Sequence, residues 1–119
     1  MGERPPVWIG HAVLTVSDVD RAADFYVTIG MREIERNAEV AIMEMRGGTH
    51  LVLPVAPVTP GDVPFDLMVE DLLATHRAWT AQGLAPSAIS SDRIHDSFVI
   101  ADPDGHLLTI SSSHVVGEV

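Results

Sequence analysis

The chemistry open to this chain is set by six histidines and no cysteine. Without a thiol there is no disulfide framework, thiolate nucleophile, zinc ribbon or iron-sulfur cluster, and a metal could be held only by His, Asp or Glu. His11 has the strongest claim to chemistry. It sits in an otherwise apolar strand, and an imidazole titrates near neutral pH, as suits a general base or a hydrogen-bond donor. A hydrogen-bonded structural histidine is the plain alternative. His95 follows the turn-like Ser90-Ser91-Asp92-Arg93 and reads as a rim residue. His76 reads as the surface of a helix, His106 follows a turn glycine, and His114 belongs to a C-terminal tail expected to be mobile. Gly47-Gly48 lacks the Lys-Ser/Thr and the following helix of a phosphate loop. Ser111, Ser112 and Ser113 lack a Gly-x-Ser-x-Gly elbow and any base and acid at a known spacing.

The elements that must position these residues come from 119 residues, enough for one domain of ordinary size. With 46% hydrophobic and 20% charged residues the chain has too much apolar material to be disordered. A formal charge of -10 excludes a basic phosphate-binding surface, so nucleic acid is not an expected partner, and cationic partners are modestly favoured. The longest apolar stretches, such as Leu51 to Val58, fall short of the roughly 18 residues of a membrane span. The start, Met1-Gly2-Glu3-Arg4-Pro5-Pro6, has no secretory pattern, and the chain is expected to be cytoplasmic.

Val7 to Val16 reads as a strand, rich in Val, Ile, Trp, Leu and Thr. A helix follows, capped by Ser17 or Asp18, carrying Ala22, Ala23, Phe25, Tyr26 and Ile29 at helical spacing and ending at Gly30. Met31 to Arg36, Val40 to Met45 and His50 to Val55 read as strands, the last two joined by Arg46-Gly47-Gly48-Thr49. Pro54 to Pro64 carries four prolines and reads as a stiff linker. The pattern then begins again: strand Phe65 to Val69, a helix opened by Glu70-Asp71 and closed at Gly83, and strands Leu84 to Ile89, His95 to Ala101 and Leu107 to Ser112. The Asp102-Pro103-Asp104-Gly105 turn joins the last two strands. Val16-Ser17-Asp18-Val19 matches Val69-Glu70-Asp71-Leu72, and Ile29-Gly30 matches Gln82-Gly83, an internal repeat of about 53 residues. The expected fold class is α+β, two tandem βαβββ modules, one over about residues 7–55 and the other over about 64–113.

Gly10 to Tyr26 with Ile29-Gly30, together with Asp102-Pro103-Asp104-Gly105-His106, resembles the vicinal oxygen chelate superfamily. That group includes glyoxalase I, bleomycin-resistance proteins, extradiol dioxygenases, methylmalonyl-CoA epimerase and fosfomycin-resistance enzymes. The resemblance implies that the modules form a curled mixed sheet around a cleft, with one sheet face on the helices and the other lining the cleft. Strand alternation then sorts the side chains. Ala12, Leu14, Val16, Leu51, Leu53, Phe65, Leu67, Val69, Leu108 and Ile110 face the helices, and Met43 and Met45 join them. His11, Val13, Thr15, His50, Val52, Pro64, Asp66, Met68, Glu70, Leu107, Thr109 and Ser111 face the cleft. Pairing across the turns is expected to set Glu44 opposite Val52 and Val99 opposite Thr109, with His95 and Ser97 on the cleft face.

Metal-using relatives of this kind hold the ion at four positions, which fall here on His11, Val52, Pro64 and Thr109. Only His11 carries a good donor, and the standard metal site is expected to be absent. The fold as implied makes neighbours of the strands bearing His11, Glu44 and His50, and two histidines with one carboxylate is a composition used for iron and zinc. The leading expectation is a cofactor-free protein that binds a small organic molecule, similar to members that sequester an antibiotic or metabolite. His11, His50, Asp66 and Thr109 would make polar contacts, Met68 and Val99 apolar ones, and His11 is the candidate catalytic residue if there is a reaction. The alternative is a lyase, isomerase or dioxygenase using a divalent metal ion at His11, Glu44 and His50. The resemblance also implies a homodimer.

Overall fold

Asp18 and Asp71 each stand just before an amphipathic run, and each becomes a helix N-cap. The structure, a computed structural model, describes residues 3–115 and 117–118. The Asp18 carboxylate accepts from the Arg21 amide at 3.0 Å and opens α1, Val19–Thr28. The Asp71 carboxylate accepts from the Ala74 amide at 2.9 Å and opens α2, Leu72–Ala81. Each satisfies an amide that the first helical turn leaves without a partner. Asp71→Ala is expected to lower unfolding free energy by about 1 kcal/mol, read from the urea midpoint at unchanged slope.

The chain divides into two compact units, one ending at Thr59 and the other beginning at Pro60. In the first, β1 (His11–Val13), β2 (Arg32–Arg36), β3 (Val40–Glu44) and β4 (His50–Pro54) form a mixed sheet in the order β1-β4-β3-β2. β1 runs parallel to β4 and the other pairs are antiparallel. α1 covers one face, and Tyr26, Met43, Leu51 and Leu53 are fully buried beneath it. Alternation accounts for this: Ala41 and Met43, like Leu51 and Leu53, share one face of adjacent strands.

The second unit repeats the plan. β5 (Gly61–Val69), β6 (Ser90–Ser91), β7 (Asp96–Ala101) and β8 (His106–Ser112) lie in the order β5-β8-β7-β6, with α2 packed on β7 and β8. Trp79 and Phe98 meet edge to face at 5.8 Å between ring centres, above buried Ile100, Leu108 and Ile110. The expected α+β class and the two βαβββ modules are thus observed, as is Val99 opposite Thr109. Among the described residues no helix is long and apolar enough to cross a membrane.

Several local expectations are corrected. The first strand is three residues long rather than spanning Val7 to Val16, because its partner β4 begins at His50; Val7, Trp8 and Ile9 are left 78%, 68% and 70% exposed. The stiff linker ends sooner, since β5 starts at Gly61. Pro64 fits within it because β5 is an edge strand whose register breaks between Asp62 and Asp66, where the missing amide costs no ladder bond. Residues 84–89 form no strand: Ala85 has φ 52 and Pro86 has no amide hydrogen, so the segment reaches β7 only through Ser87, whose amide donates to the Val99 carbonyl at 2.9 Å, and regular pairing begins at Ser90–Ser91, where turn composition suggests a loop. His76 is half-buried rather than a plain surface residue. It packs edge-on to Phe98 at 5.0 Å and its Nε2–H donates to the Ser87 carbonyl at 2.8 Å, tying α2 to the segment before β6.

Glu44 lies opposite His50, with Ile42 opposite Val52. The hairpin closes tightly through Met45 N–H to the Thr49 carbonyl at 2.8 Å, with Gly47 and Gly48 at φ 80 and 85, conformations that favour glycine. The turn therefore centres on Gly47. The register moves by two residues, and Glu44 keeps its expected sheet face.

Candidate functional site

Four polar side chains line up on one rung of the first sheet. Cα pairing runs Arg32 to Glu44, Glu44 to His50 and His50 to His11, crossing β2, β3, β4 and β1 in turn. Cross-strand partners on one face sit close enough to interact directly. The Arg32 guanidinium donates through Nε at 2.9 Å and through Nη2 to Glu44 Oε1. Glu44 Oε2 lies 3.0 Å from His50 Nε2, and the His50 ring meets the His11 ring edge-on, 5.6 Å between centres. Exposure falls from 76% at Arg32 to 18% at Glu44 and 30% at His50, so the carboxylate is the shielded centre of the row.

Hydrogen bonds from Arg32, and then from His50, hold the Glu44 carboxyl below its ordinary value of 4.5. An ionised carboxylate accepts only, so Nε2 of His50 carries the proton. A carboxyl depressed in the folded state stabilises the fold above its ordinary value, and that contribution disappears as pH falls through the lowered value. Arg32→Met is expected to move the Glu44 titration back up toward 4.5 and to shift acid unfolding to higher pH. Side-chain carboxyl NMR across a pH series measures the first effect, and circular dichroism the second.

The histidine end of the row opens onto a hollow of about 450 Å³ lined by Pro6, Val7, Trp8, Gly10, His11, Gly48 and His50. Thr49 Oγ1 donates to the Ile9 carbonyl at 2.6 Å and the His50 amide to the Gly10 carbonyl at 2.9 Å, fixing the arm that carries Trp8 beside the imidazoles. A second hollow of about 550 Å³ lies at the start of α1, beside Asp18, Asp20, Arg36 and Asn37. Its one cation, Arg36, is held by Asp24 at 2.9 Å, Glu33 at 2.7 Å and Asp20 at 3.2 Å, which raise its pKa further above the usual guanidinium value. A ligand there would have to displace those carboxylates, so the first hollow is the better site.

The other expected site residues gather in the second unit. Asp66, Thr109 and Val99 share a rung across β5, β8 and β7, and Met68, 49% exposed, lies one pleat further along. Asp66 accepts from the buried Ser111 hydroxyl at 2.8 Å. His95 stands apart with Asp92, its Nδ1 3.3 Å from Oδ1, and its ring faces His114 at 5.9 Å. Asp92 is held below its ordinary carboxylate value by the amides of His95 and Ile94, so this is a loop clasp.

A resident metal does not fit the residues present. His11, Glu44 and His50 are brought together, but in a row: both carboxylate oxygens are engaged, one by Arg32 and one by His50. Among the described residues no three His, Asp or Glu side chains are placed to hold an ion. The positions implied by resemblance offer Val52, Pro64 and Thr109, of which two have no donor atom.

Sequence reasoning missed Trp8 and Arg32 as parts of this site. Arg32 could have been found from charge complementarity with Glu44 once a β2–β3 hairpin was drawn. Trp8 carried no such signal, because an aromatic residue in an apolar run more often belongs to a core.

Comparison with known proteins agrees with this architecture. The chain is similar in structure to a lactoylglutathione lyase from Agrobacterium tumefaciens, with TM-score 0.80 and 18% identity over 97% of this chain and 100% of that one. It is similar to the oxidase ChaP-H2, with TM-score 0.74 and 19% identity over 92% and 95% of the two chains. A glyoxalase/bleomycin resistance protein/dioxygenase from Alicyclobacillus acidocaldarius gives TM-score 0.70 and 20% identity over 95% and 96%. No curated protein matches the chain. The family model for the Glyoxalase/Bleomycin resistance protein/Dioxygenase superfamily matches residues 8–110, and the chain belongs to that superfamily.

Proposed function

We propose that this protein binds a small organic molecule in the hollow beside His11, His50 and Trp8, without a resident metal. The observation that supports this most directly is the Arg32–Glu44–His50–His11 row: it delivers two imidazoles to an open, largely apolar hollow while consuming the carboxylate that a metal would need. Apolar walls with a few placed polar groups are the ordinary composition of a ligand site. Asp66, Met68, Val99 and Thr109 form a mixed polar and apolar face within the second unit, and we propose that face as a separate ligand-contacting surface of that unit. Sequestration, as in bleomycin-resistance relatives, needs no more than this. The lyase and oxidase named among the similar structures share the fold, and a metal-dependent lyase, isomerase or dioxygenase here would require Glu44 to leave Arg32. The proposal includes the homodimer implied by resemblance, tested by sedimentation equilibrium.

Elemental analysis of protein purified without chelator is expected to find metal far below one equivalent per chain, and a small-molecule thermal-shift screen to find stabilising compounds. Stoichiometric metal that is lost in both His11→Ala and Glu44→Ala would overturn the metal-free reading.

A further inference from the structure

The two nitrogens of His50 have unequal fates. Nε2 is committed to Glu44 at 3.0 Å, and Arg32 keeps Glu44 ionised and in place. Among the described residues Nδ1 has no hydrogen-bond partner, and the His11 ring packs edge-on against the His50 ring. With Nε2 protonated, Nδ1 of neutral His50 presents a lone pair and accepts a hydrogen bond. His50 lines the hollow, so that acceptor is available to an occupant.

The remaining lining narrows what that occupant is. Trp8 contributes an indole, Pro6 and Val7 add apolar surface, and among the described residues no Asp, Glu, Lys or Arg lines the hollow. A Cβ built on Gly10 or Gly48 would meet nothing within 4 Å, so the glycine backbone leaves room for a flat body to lie close. Glu44, the carboxylate bonded to His50, is paired with Arg32, which weakens its attraction for an ammonium group. A neutral, flat molecule with a hydroxyl donor satisfies all three features: its ring against Trp8, its edge in the hollow, its O–H on His50.

Resting on the binding reading above, we infer that the hollow selects planar aromatic or enolic molecules carrying a hydroxyl group, with Nδ1 of His50 as the acceptor and Glu44, held by Arg32, as the positioning residue that fixes the His50 tautomer.

The probe pair is 2-naphthol and 2-methoxynaphthalene, which share a ring system and differ in the O–H donor. Titration calorimetry on the intact chain at neutral pH is expected to show 2-naphthol binding about five- to tenfold more tightly, the value of one neutral hydrogen bond. In His50→Leu both probes should bind with similar affinity. Glu44→Gln should narrow the preference, and imidazole nitrogen NMR, which a merely structural role would leave unmoved, should show His50 passing from a single Nε2–H tautomer to a mixture. Equal binding of both probes by the native chain overturns the hydroxyl selection and leaves the binding site standing. Binding of neither overturns both, and a native His50 protonated at Nδ1 overturns the assignment of acceptor.

Discussion

Phe98→Ala is expected to cost about 3–5 kcal/mol, most of the stability of a small domain. Phe98 is 1% exposed, and its ring is a principal contact between α2 and the sheet, edge to face with Trp79 at 5.8 Å and with His76 at 5.0 Å. Truncation removes both aromatic contacts and leaves a cavity beneath a helix only ten residues long, which is too short to hold its conformation without packing. Ile110 lies opposite Phe98 on β8 and Leu108 opposite Ile100, so neighbouring side chains are already fully engaged and cannot collapse into the space. Urea unfolding followed by circular dichroism gives the free energy. A loss below about 1.5 kcal/mol, typical of a volume-conserving swap, would contradict the packing described.

Trp8→Ala is expected to do the reverse, leaving stability within about 0.5 kcal/mol while weakening ligand binding about tenfold or more. At 68% exposure the indole contributes little to the folded core, yet it forms one wall of the hollow. An exposed aromatic surface that becomes covered only by a ligand should register in affinity and not in the melting temperature of the free protein. Thermal unfolding, with and without a compound found by the stabilisation screen, separates the two quantities. Lost stability with unchanged affinity would place Trp8 in a structural role.

The sequence reveals those parts of the fold that depend on local chemistry. Asp18 and Asp71 before their amphipathic runs, with Gly30 and Gly83 after them, mark both helices within two residues, because cap preferences are properties of neighbouring atoms. Alternation sorts Leu51, Leu53, Leu108 and Ile110 into the core for the same reason. What fails is whatever depends on a distant partner. Val7 to Ile9 has strand composition but no strand to pair with, and residues 84–89 are interrupted by the Ala85 backbone and Pro86. The site shows the same division. His11 and His50 were singled out by type and parity, whereas the pairing of His50 with Glu44 depended on a two-residue difference in where one hairpin turns. The metal alternative requires a free Glu44; the structure pairs it with Arg32, a cross-strand contact that no local pattern encodes.

Small molecules are expected to bind on the helix-free face of the first sheet, between the Trp8 arm and the two imidazoles. Amide NMR of the labelled chain, titrated with the compounds that raise its melting temperature, tests this directly. The largest shifts are expected at Val7, Trp8, Gly10, His11, Gly48 and His50. Shifts centred on Ser17 to Asp20 at the start of α1, with those residues silent, would contradict it.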